Sequence, residues 1–338
     1  MDEESGQQMA EMRMSGAGDG PRRDGTPPPI LRRTQGFEVP GGDAGAVRPW
    51  EEYNAATLIE LSCTVPAAQT FRAREVNLQL DQVHLAHVTG TAHRVHRDRP
   101  MVDDRPGDAI AAYAALRGEV QVEHGGVRTV MRPGQMLICD VDTPFFRHFG
   151  RGVQELVVKV PRTVLTELTG AAEVTPVVVD TATAAHAKAL VRLAGQAVAS
   201  PVPVPADEQA AIELVAVLAG DGRVRSSIAY RAAARSFIAD HLTDPTLSAT
   251  DVAAAVGISE RQLSRILAEA GTSVPRHVLA RRLDLAYGML TGTTTGVRAT
   301  DVAARCGFTS TTYFSTVFKR RFGVTARDAM RWQPALTM

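Results

Sequence analysis

Thr250-Asp251-Val252-Ala253-Ala254-Ala255-Val256-Gly257 recurs fifty residues later as Thr300-Asp301-Val302-Ala303-Ala304-Arg305-Cys306-Gly307. Both copies follow one physical plan. A short helix carries small apolar residues that allow close packing. A glycine follows, able to take the left-handed backbone that ends a helix. One apolar residue comes next, Ile258 or Phe308, and then Ser259 or Ser310 caps a second helix. In the first copy Leu263, Ile266 and Leu267 fall at i, i+3, i+4; in the second Phe314, Val317 and Phe318 do the same. Those stripes must face a core. The opposite faces are polar: Arg261, Ser264 and Arg265, then Thr312, Ser315 and Thr316.

A short helix, a tight glycine turn and a second helix with a free polar face make a helix-turn-helix, whose second helix can enter the major groove of DNA. One such pair is common in all-α proteins. Two copies in one basic region are much harder to obtain by accident. The spacer fits as well, since Val274 to Leu290 has a helical pattern. At about 1.5 Å per residue its seventeen residues span about 25 Å. Neighbouring major grooves on one DNA face lie about 34 Å apart. A rigid helix plus the width of the flanking bundles therefore suits two recognition helices in successive grooves.

Charge agrees with that reading. The whole chain of 338 residues is neutral, with 37 basic and 37 acidic residues. The balance is uneven: Ser226 to Met338 holds 14 Lys+Arg against 8 Asp+Glu, and Met1 to Arg225 holds 23 against 29. A basic C-terminal third on an acidic body suggests a polyanion partner at that end.

Working upstream, Ala184 to Ala199 and Asp207 to Ala219 read as Ala-rich helices, separated by Pro201-Val202-Pro203-Val204-Pro205. Residues 55 to 168 read as mostly β. The expected strands include Arg72 to Asp81, Val83 to Arg97, Ala109 to Leu116, Glu119 to Glu123, Val127 to Met131, Met136 to Cys139 and Gln154 to Val160. Many short strands with Gly and Pro turns suggest a sandwich or small barrel. Residues 1 to about 50 are rich in Gly and Pro and poor in apolar residues, and they read as a disordered extension. That segment lacks a secretory signal, and no run approaches a membrane span, so the cytoplasm is the expected compartment. Cys63, Cys139 and Cys306 are odd in number and far apart, which suits buried free thiols.

The C-terminal residues resemble the AraC/XylS family of bacterial transcription regulators from about Ser226 to Trp332. The likeness is carried by Leu247-Ser248, Val252-Ala253, Gly257, Gly271, Arg281-Arg282-Leu283, Gly307-Phe308, Tyr313-Phe314, Phe318-Lys319 and Phe322-Gly323. The stretch from Asp108 to Leu165 resembles the cupin-like ligand-binding half of such regulators, through Arg117-Gly118, Gly125-Gly126, Pro133-Gly134 and Thr143-Pro144-Phe145. The resemblance implies a multidomain α and β chain: a cupin-like β-barrel sensor at 55–170, a helical dimerisation or linker segment at 182–222, and an all-α DNA-binding bundle at 226–338. In the bundle a long helix joins helix-turn-helix units at about 248–270 and 298–322. It implies base contacts from Arg261, Ser264 and Arg265 in one groove and from Thr311, Thr312, Tyr313 and Thr316 in the next. Arg265 is the expected guanine reader, since a guanidinium fork matches guanine O6 and N7. Lys319, Arg320 and Arg321 are expected phosphate clamps. The implied partners are promoter DNA, an unidentified small-molecule effector, RNA polymerase and a second copy of the chain. The implied action is activation in the cytoplasm, at the nucleoid.

The alternative is a cupin-type metal enzyme with a helical accessory domain. His84, His87, His93 and His96 cluster in sequence. Residues three apart in a strand point to opposite faces, so neither His84 with His87 nor His93 with His96 can share one metal. The His-x-His-plus-Glu pattern of metal cupins is absent, as are Gly-x-Ser-x-Gly and a phosphate-cradling glycine loop. No catalytic residue, metal or cofactor is expected, and no residue pattern singles out the effector.

Overall fold

The computed structural model describes residues 35–331, apart from 43, 44, 46, 68, 172, 201–203, 221–223 and 293–297. Two antiparallel sheets form the N-terminal half. The larger has seven strands in the order β1-β3-β4-β11-β6-β9-β12. These are β1 (Gln35–Gly42), β3 (Phe71–Gln79), β4 (His84–Gly90), β6 (Ala109–Arg117), β9 (Gln135–Asp140), β11 (Val153–Pro161) and β12 (Val177–Asp180). The smaller runs β2-β5-β10-β7-β8, with β2 (Ser62–Thr64), β5 (His93–Arg97), β7 (Val120–His124), β8 (Val127–Met131) and β10 (Phe145–Phe149). Strand alternation gives each sheet an inner face, and Phe71, Val95, Tyr113, Val122, Phe149 and Val157 meet between them in one apolar cluster.

The expected disordered segment divides. Residues 1–34 lie outside the described residues. Residues 35–50 differ from expectation, because β1 pairs with β3 and α1 (Val47–Thr57) follows it. Trp50 of α1 is 3% exposed and packs edge-on against Phe71 and His93. The segment is poor in apolar residues, yet one buried Trp and a strand ladder fix it, and composition averages hide both. The expected single stretch Val83 to Arg97 is two strands in different sheets, β4 and β5. Strand β10 escaped the alternation reading because its inward positions are Phe145, Arg147 and Phe149. An arginine at a core position is tolerated here because Glu155 meets it in a two-pronged ion pair, with Arg147 Nη1 to Oε1 at 3.0 Å and Nη2 to Oε2 at 2.5 Å.

Interior groups respond to their surroundings. Burial pushes the thiols of Cys63, Cys139 and Cys306 up to about 12. Burial also lowers His84 and His93 to about 4, and it raises Glu75 to about 7. A histidine with a lowered pKa binds fewer protons folded than unfolded, so its contribution to stability is lost as pH falls from about 6.5 toward 4. Glu75 acts oppositely: its contribution is present below about 4.5 and is lost as pH rises through about 7. His87 and His124 shift in the same direction as the other two histidines. Urea unfolding should therefore show the chain more stable at about pH 7 than at about pH 5, by on the order of 1–2 kcal/mol. In Glu75→Gln, which removes the opposing group, that difference should roughly double. An unchanged pH dependence in Glu75→Gln would contradict this account.

The outer face of the larger sheet is covered by helices α4 (Ala185–Ala194, running into a π-helical turn at Gly195–Ala199) and α5 (Glu208–Ala219). Leu78, Leu85, Ile138, Leu156 and Val158 of the sheet join Leu190, Ile212 and Val215 of these helices in a second core. Every residue from Ala210 to Ala216 is buried. The helical segment was expected to pair two chains. Within one chain α5 lies between the sheet and α6 (Ser226–Asp240), whereas Val191 and Leu193 of α4 stay partly exposed. Short helices α2 (Arg99–Asp104) and α3 (Arg162–Thr169) complete the sensor half. Among the described residues no helix is long and apolar enough to cross a membrane.

Candidate nucleic-acid interface

The C-terminal bundle is built from the repeat. In the first copy α7 (Ala249–Val256) begins at a capping box: Asp251 N–H donates to Ser248 Oγ at 3.2 Å, and Ser248 N–H donates to Asp251 Oδ2 at 2.9 Å. It ends at Gly257, with φ +76°. Helix α8 (Glu260–Glu269) starts under the Ser259 cap, to which Gln262 N–H donates at 3.2 Å. Thr250 then joins the two helices by donating to Glu260 Oε1 at 2.6 Å. Leu263, Ile266 and Leu267 are buried against Val252 and Ile238, each contributing about 1.5–3 kcal/mol of transfer energy.

The second copy repeats the plan with an aromatic core. Helix α10 (Ala299–Arg305) leads through Gly307 to α11 (Thr311–Phe322), capped by Ser310, and α12 (Ala326–Arg331) follows. Phe314, Phe318 and Phe322 pack in sequence as tilted rings, with centroids 5.3 and 4.7 Å apart. The linking helix α9 (Val274–Gly292) is two residues longer than its sequence pattern suggested.

Arg261, Ser264 and Arg265 are all exposed on the outward side of α8. Thr311, Thr312, Tyr313 and Thr316 are exposed on α11, and Tyr313 presents half of its surface to solvent. Arg261, Ser264 and Arg265 share one face of α8, backed by a buried apolar face. On α11 Thr312, Tyr313 and Thr316 share the solvent side, while Thr311 sits at the helix start, turned away from Tyr313. Two refinements concern α11. The Thr316 hydroxyl donates to Thr312 O at 3.0 Å, and Ser315 Oγ donates to Thr311 O at 2.9 Å. Their protons are used along the helix, which leaves acceptor lone pairs and the Thr316 methyl for a partner.

Arg321 differs from expectation. Its Nε and Nη2 both donate to Asp284 Oδ1, at 2.9 and 2.6 Å, and Asp284 is 4% exposed. Arg321 ties α11 to α9, while Lys319 and Arg320 stay exposed. No spacing rule in the sequence pairs residues 37 apart; the buried acid on the linking helix was the missed signal.

A groove of about 270 Å³ separates the two halves, bordered by Leu247, Val278, Arg282, Phe308 and Tyr313. Arg282 bridges beneath it, donating from Nε to Leu242 O at 2.8 Å and from Nη2 to Asp244 O at 2.5 Å. On the sensor side, Glu213 of α5 holds Arg231 and Arg235 of α6. Asp207 meets Arg235, His277 and Arg281, at 3.6, 3.2 and 3.9 Å. His277 and these cations hold the Asp207 carboxyl far below the usual carboxylate range despite its burial.

The histidines are dispersed. His84 points inward and its Nε2 lies 2.7 Å from Asn77 Oδ1, whereas His87 faces outward beside Gln154. Among the described residues no group of three His, Cys, Asp or Glu is placed to hold a metal.

Known proteins carry the same two units. The profile of an AraC-binding-like domain matches residues 50–220, and that of a helix-turn-helix domain matches residues 229–331. The transcriptional activator NphR of Rhodococcus sp is 26% identical over 290 residues, which cover 80% of this chain and 85% of that one. The transcriptional activator RhrA of Rhizobium meliloti (strain 1021) is 32% identical over 94 residues, 28% of this chain and 30% of that one. The crystal structure of the AraC-like transcriptional activator CuxR aligns with 75% of this chain and 95% of its own, at 16% identity and a TM-score of 0.44. With the sensor profile over half of its length and the DNA-binding profile over most of the remainder, the chain belongs to the AraC/XylS family of DNA-binding transcription regulators.

Proposed function

We propose that the chain is an effector-responsive activator that reads two successive major grooves as a homodimer at its promoters, in the cytoplasm, and catalyses no reaction. One observation carries the reading: two capped helices with exposed polar faces, α8 and α11, flank one rigid connecting helix. Nineteen residues of α9 span about 28 Å. Arg261, Ser264 and Arg265 contact bases in the first groove, with Arg265 on guanine. Thr311, Thr312, Tyr313 and Thr316 face the second groove, favouring thymine methyls. Lys319 and Arg320 hold phosphates. The names of both relatives support activation, which implies contact with RNA polymerase. With Ala210 to Ala216 of α5 buried inside one chain, pairing through the 182–222 segment would fall to the partly exposed α4.

The effector is proposed to enter between the two sheets. Trp50, His93, Tyr113, Phe145, Arg147 and Phe149 border a small cavity there. Trp50 Nε1 and Arg147 Nε are buried without a partner among the described residues, a condition that a ligand acceptor or water relieves.

Arg265→Ala is expected to cost about 1–3 kcal/mol on a promoter site and to relax preference at one base pair. Arg320→Ala should weaken all sequences alike and reduce the salt slope of log K by about 1. Fluorescence anisotropy against specific and scrambled duplexes separates the two. Wild-type affinity and salt dependence in both variants would refute the assignment.

A further inference from the structure

The outer face of the seven-stranded sheet changes character row by row. One registered row is Leu78, Leu85, Val158, Ala112 and Ile138, and it is buried under the helices. The next, Val76, His87, Leu156 and Ala114, is half covered. The third is Arg74, Thr89, Gln154 and Arg117, and among the described residues no helix lies over it. Arg72 lies one outward position further along β3, and Arg151 sits in the turn before β11. Together they line an open groove of about 510 Å³.

All four arginines are exposed, and among the described residues none makes an ion pair. Glu38 is the single acid among the described lining residues. Such a cluster is unusual on a half of the chain whose net charge is negative. Glu38 stands opposite Arg74 in the β1–β3 register, so one acid faces four cations, and the net positive charge that remains is an arrangement that a polyanion relieves. The row crosses four strands, about 14 Å at the usual strand spacing. It is an open trough, whereas a site for a small molecule normally encloses most of its ligand. The DNA-binding bundle stacks on the helices that cover this same sheet face, and Ala232 of α6 reaches into that core. The basic trough therefore opens on the side of the sensor that carries the bundle.

We propose that Arg72, Arg74, Arg117 and Arg151 form a third, sequence-independent contact to the DNA backbone, supplied by the sensor half. The proposal rests on the reading of the chain as a DNA-binding regulator. The trough holds phosphates flanking the two grooves read by α8 and α11, and it adds affinity without adding base recognition.

The test uses the full-length chain and a random-sequence duplex of about 60 base pairs, with binding followed by anisotropy between about 50 and 200 mM salt. At about 0.9 per phosphate, Arg72→Ala/Arg74→Ala should reduce the salt slope by about 1–2 and weaken binding about tenfold. Arg94→Ala/Arg128→Ala removes the same charge from exposed positions on the smaller sheet and should keep the wild-type slope. Equal slopes in the two double variants would overturn the proposal. If they are equal and inorganic phosphate raises the melting temperature of the wild type but not of Arg72→Ala/Arg74→Ala, the trough is a small-anion site instead. A wild-type chain that binds no duplex at all would overturn the regulator reading as well, a result distinct from equal slopes.

Discussion

Replacing Glu213 with alanine is expected to cost about 3–5 kcal/mol of stability, the range for stripping one partner from a buried ion network. Glu213 is 2% exposed, and its two oxygens serve two cations: Arg231 Nε donates to Oε1 at 2.6 Å and Arg235 Nε donates to Oε2 at 3.0 Å. Both arginines are themselves buried. Without the carboxylate, two guanidiniums face an apolar layer of Ala211, Val215 and Ala232. Asp207 still reaches Arg235, but at 3.6 Å and already shared with His277 and Arg281. Arg231 is left worst off. The damage should fall at the seam between α5 and α6, where the sensor meets the DNA-binding bundle. Chemical unfolding should show the loss, and limited proteolysis should show cleavage moving to the 220–226 connection. Glu213→Gln keeps the shape and loses the charge, so it should fall between wild type and alanine. A Glu213→Ala protein within about 1 kcal/mol of wild type would mean that solvent reaches these arginines, contrary to the packing described.

Gly307→Ala should be much more damaging than Gly257→Ala, although the two glycines hold equivalent places in the repeat. Both have a left-handed backbone, at φ +80° and +76°. That conformation alone costs a residue with a Cβ about 1–2 kcal/mol. Around Gly257 an added Cβ meets nothing within 4 Å among the described residues. At Gly307 it would lie 2.9 Å from Thr243 O and 3.0 Å from the Arg282 guanidinium. Neither can retreat easily, because Arg282 is fixed by Leu242 O and Asp244 O. Overpacking of this kind adds about 1–3 kcal/mol. The expected totals are about 1–2 kcal/mol for Gly257→Ala and about 2–5 kcal/mol for Gly307→Ala. Since this contact sets how the two units sit against each other, Gly307→Ala should also weaken binding to a two-groove site more than to a single half-site. Equal unfolding free energies for the two variants would show that the second turn yields freely.

Much of the bundle was legible because its determinants are local. Caps at Ser248, Ser259 and Ser310, the two turn glycines and the i, i+3, i+4 stripes each need only neighbouring residues. The sensor was legible as a set of strands, and less so as an arrangement. Arg147 at an inward position and Glu155 across from it look polar in sequence, and only their pairing makes a core strand of Phe145–Phe149. Trp50 was hidden in a stretch whose average composition suggests disorder. Arg321 sits in a basic run that any rule would give to phosphate, until Asp284 meets it from another helix.

The sequence by itself determined the two helix-turn-helix units, their polar faces and the helix between them, because periodicity and capping act over a few residues. It also determined that the two copies share one plan. Only the tertiary structure decided how they differ: an open turn at Gly257, a closed one at Gly307, a free Arg265, a bound Arg321. It alone decided that α5 is buried within one chain and that an arginine-rich trough lies on the sensor. Packing, burial and ion pairing join residues tens of positions apart, and such distances leave no period in a sequence to be read.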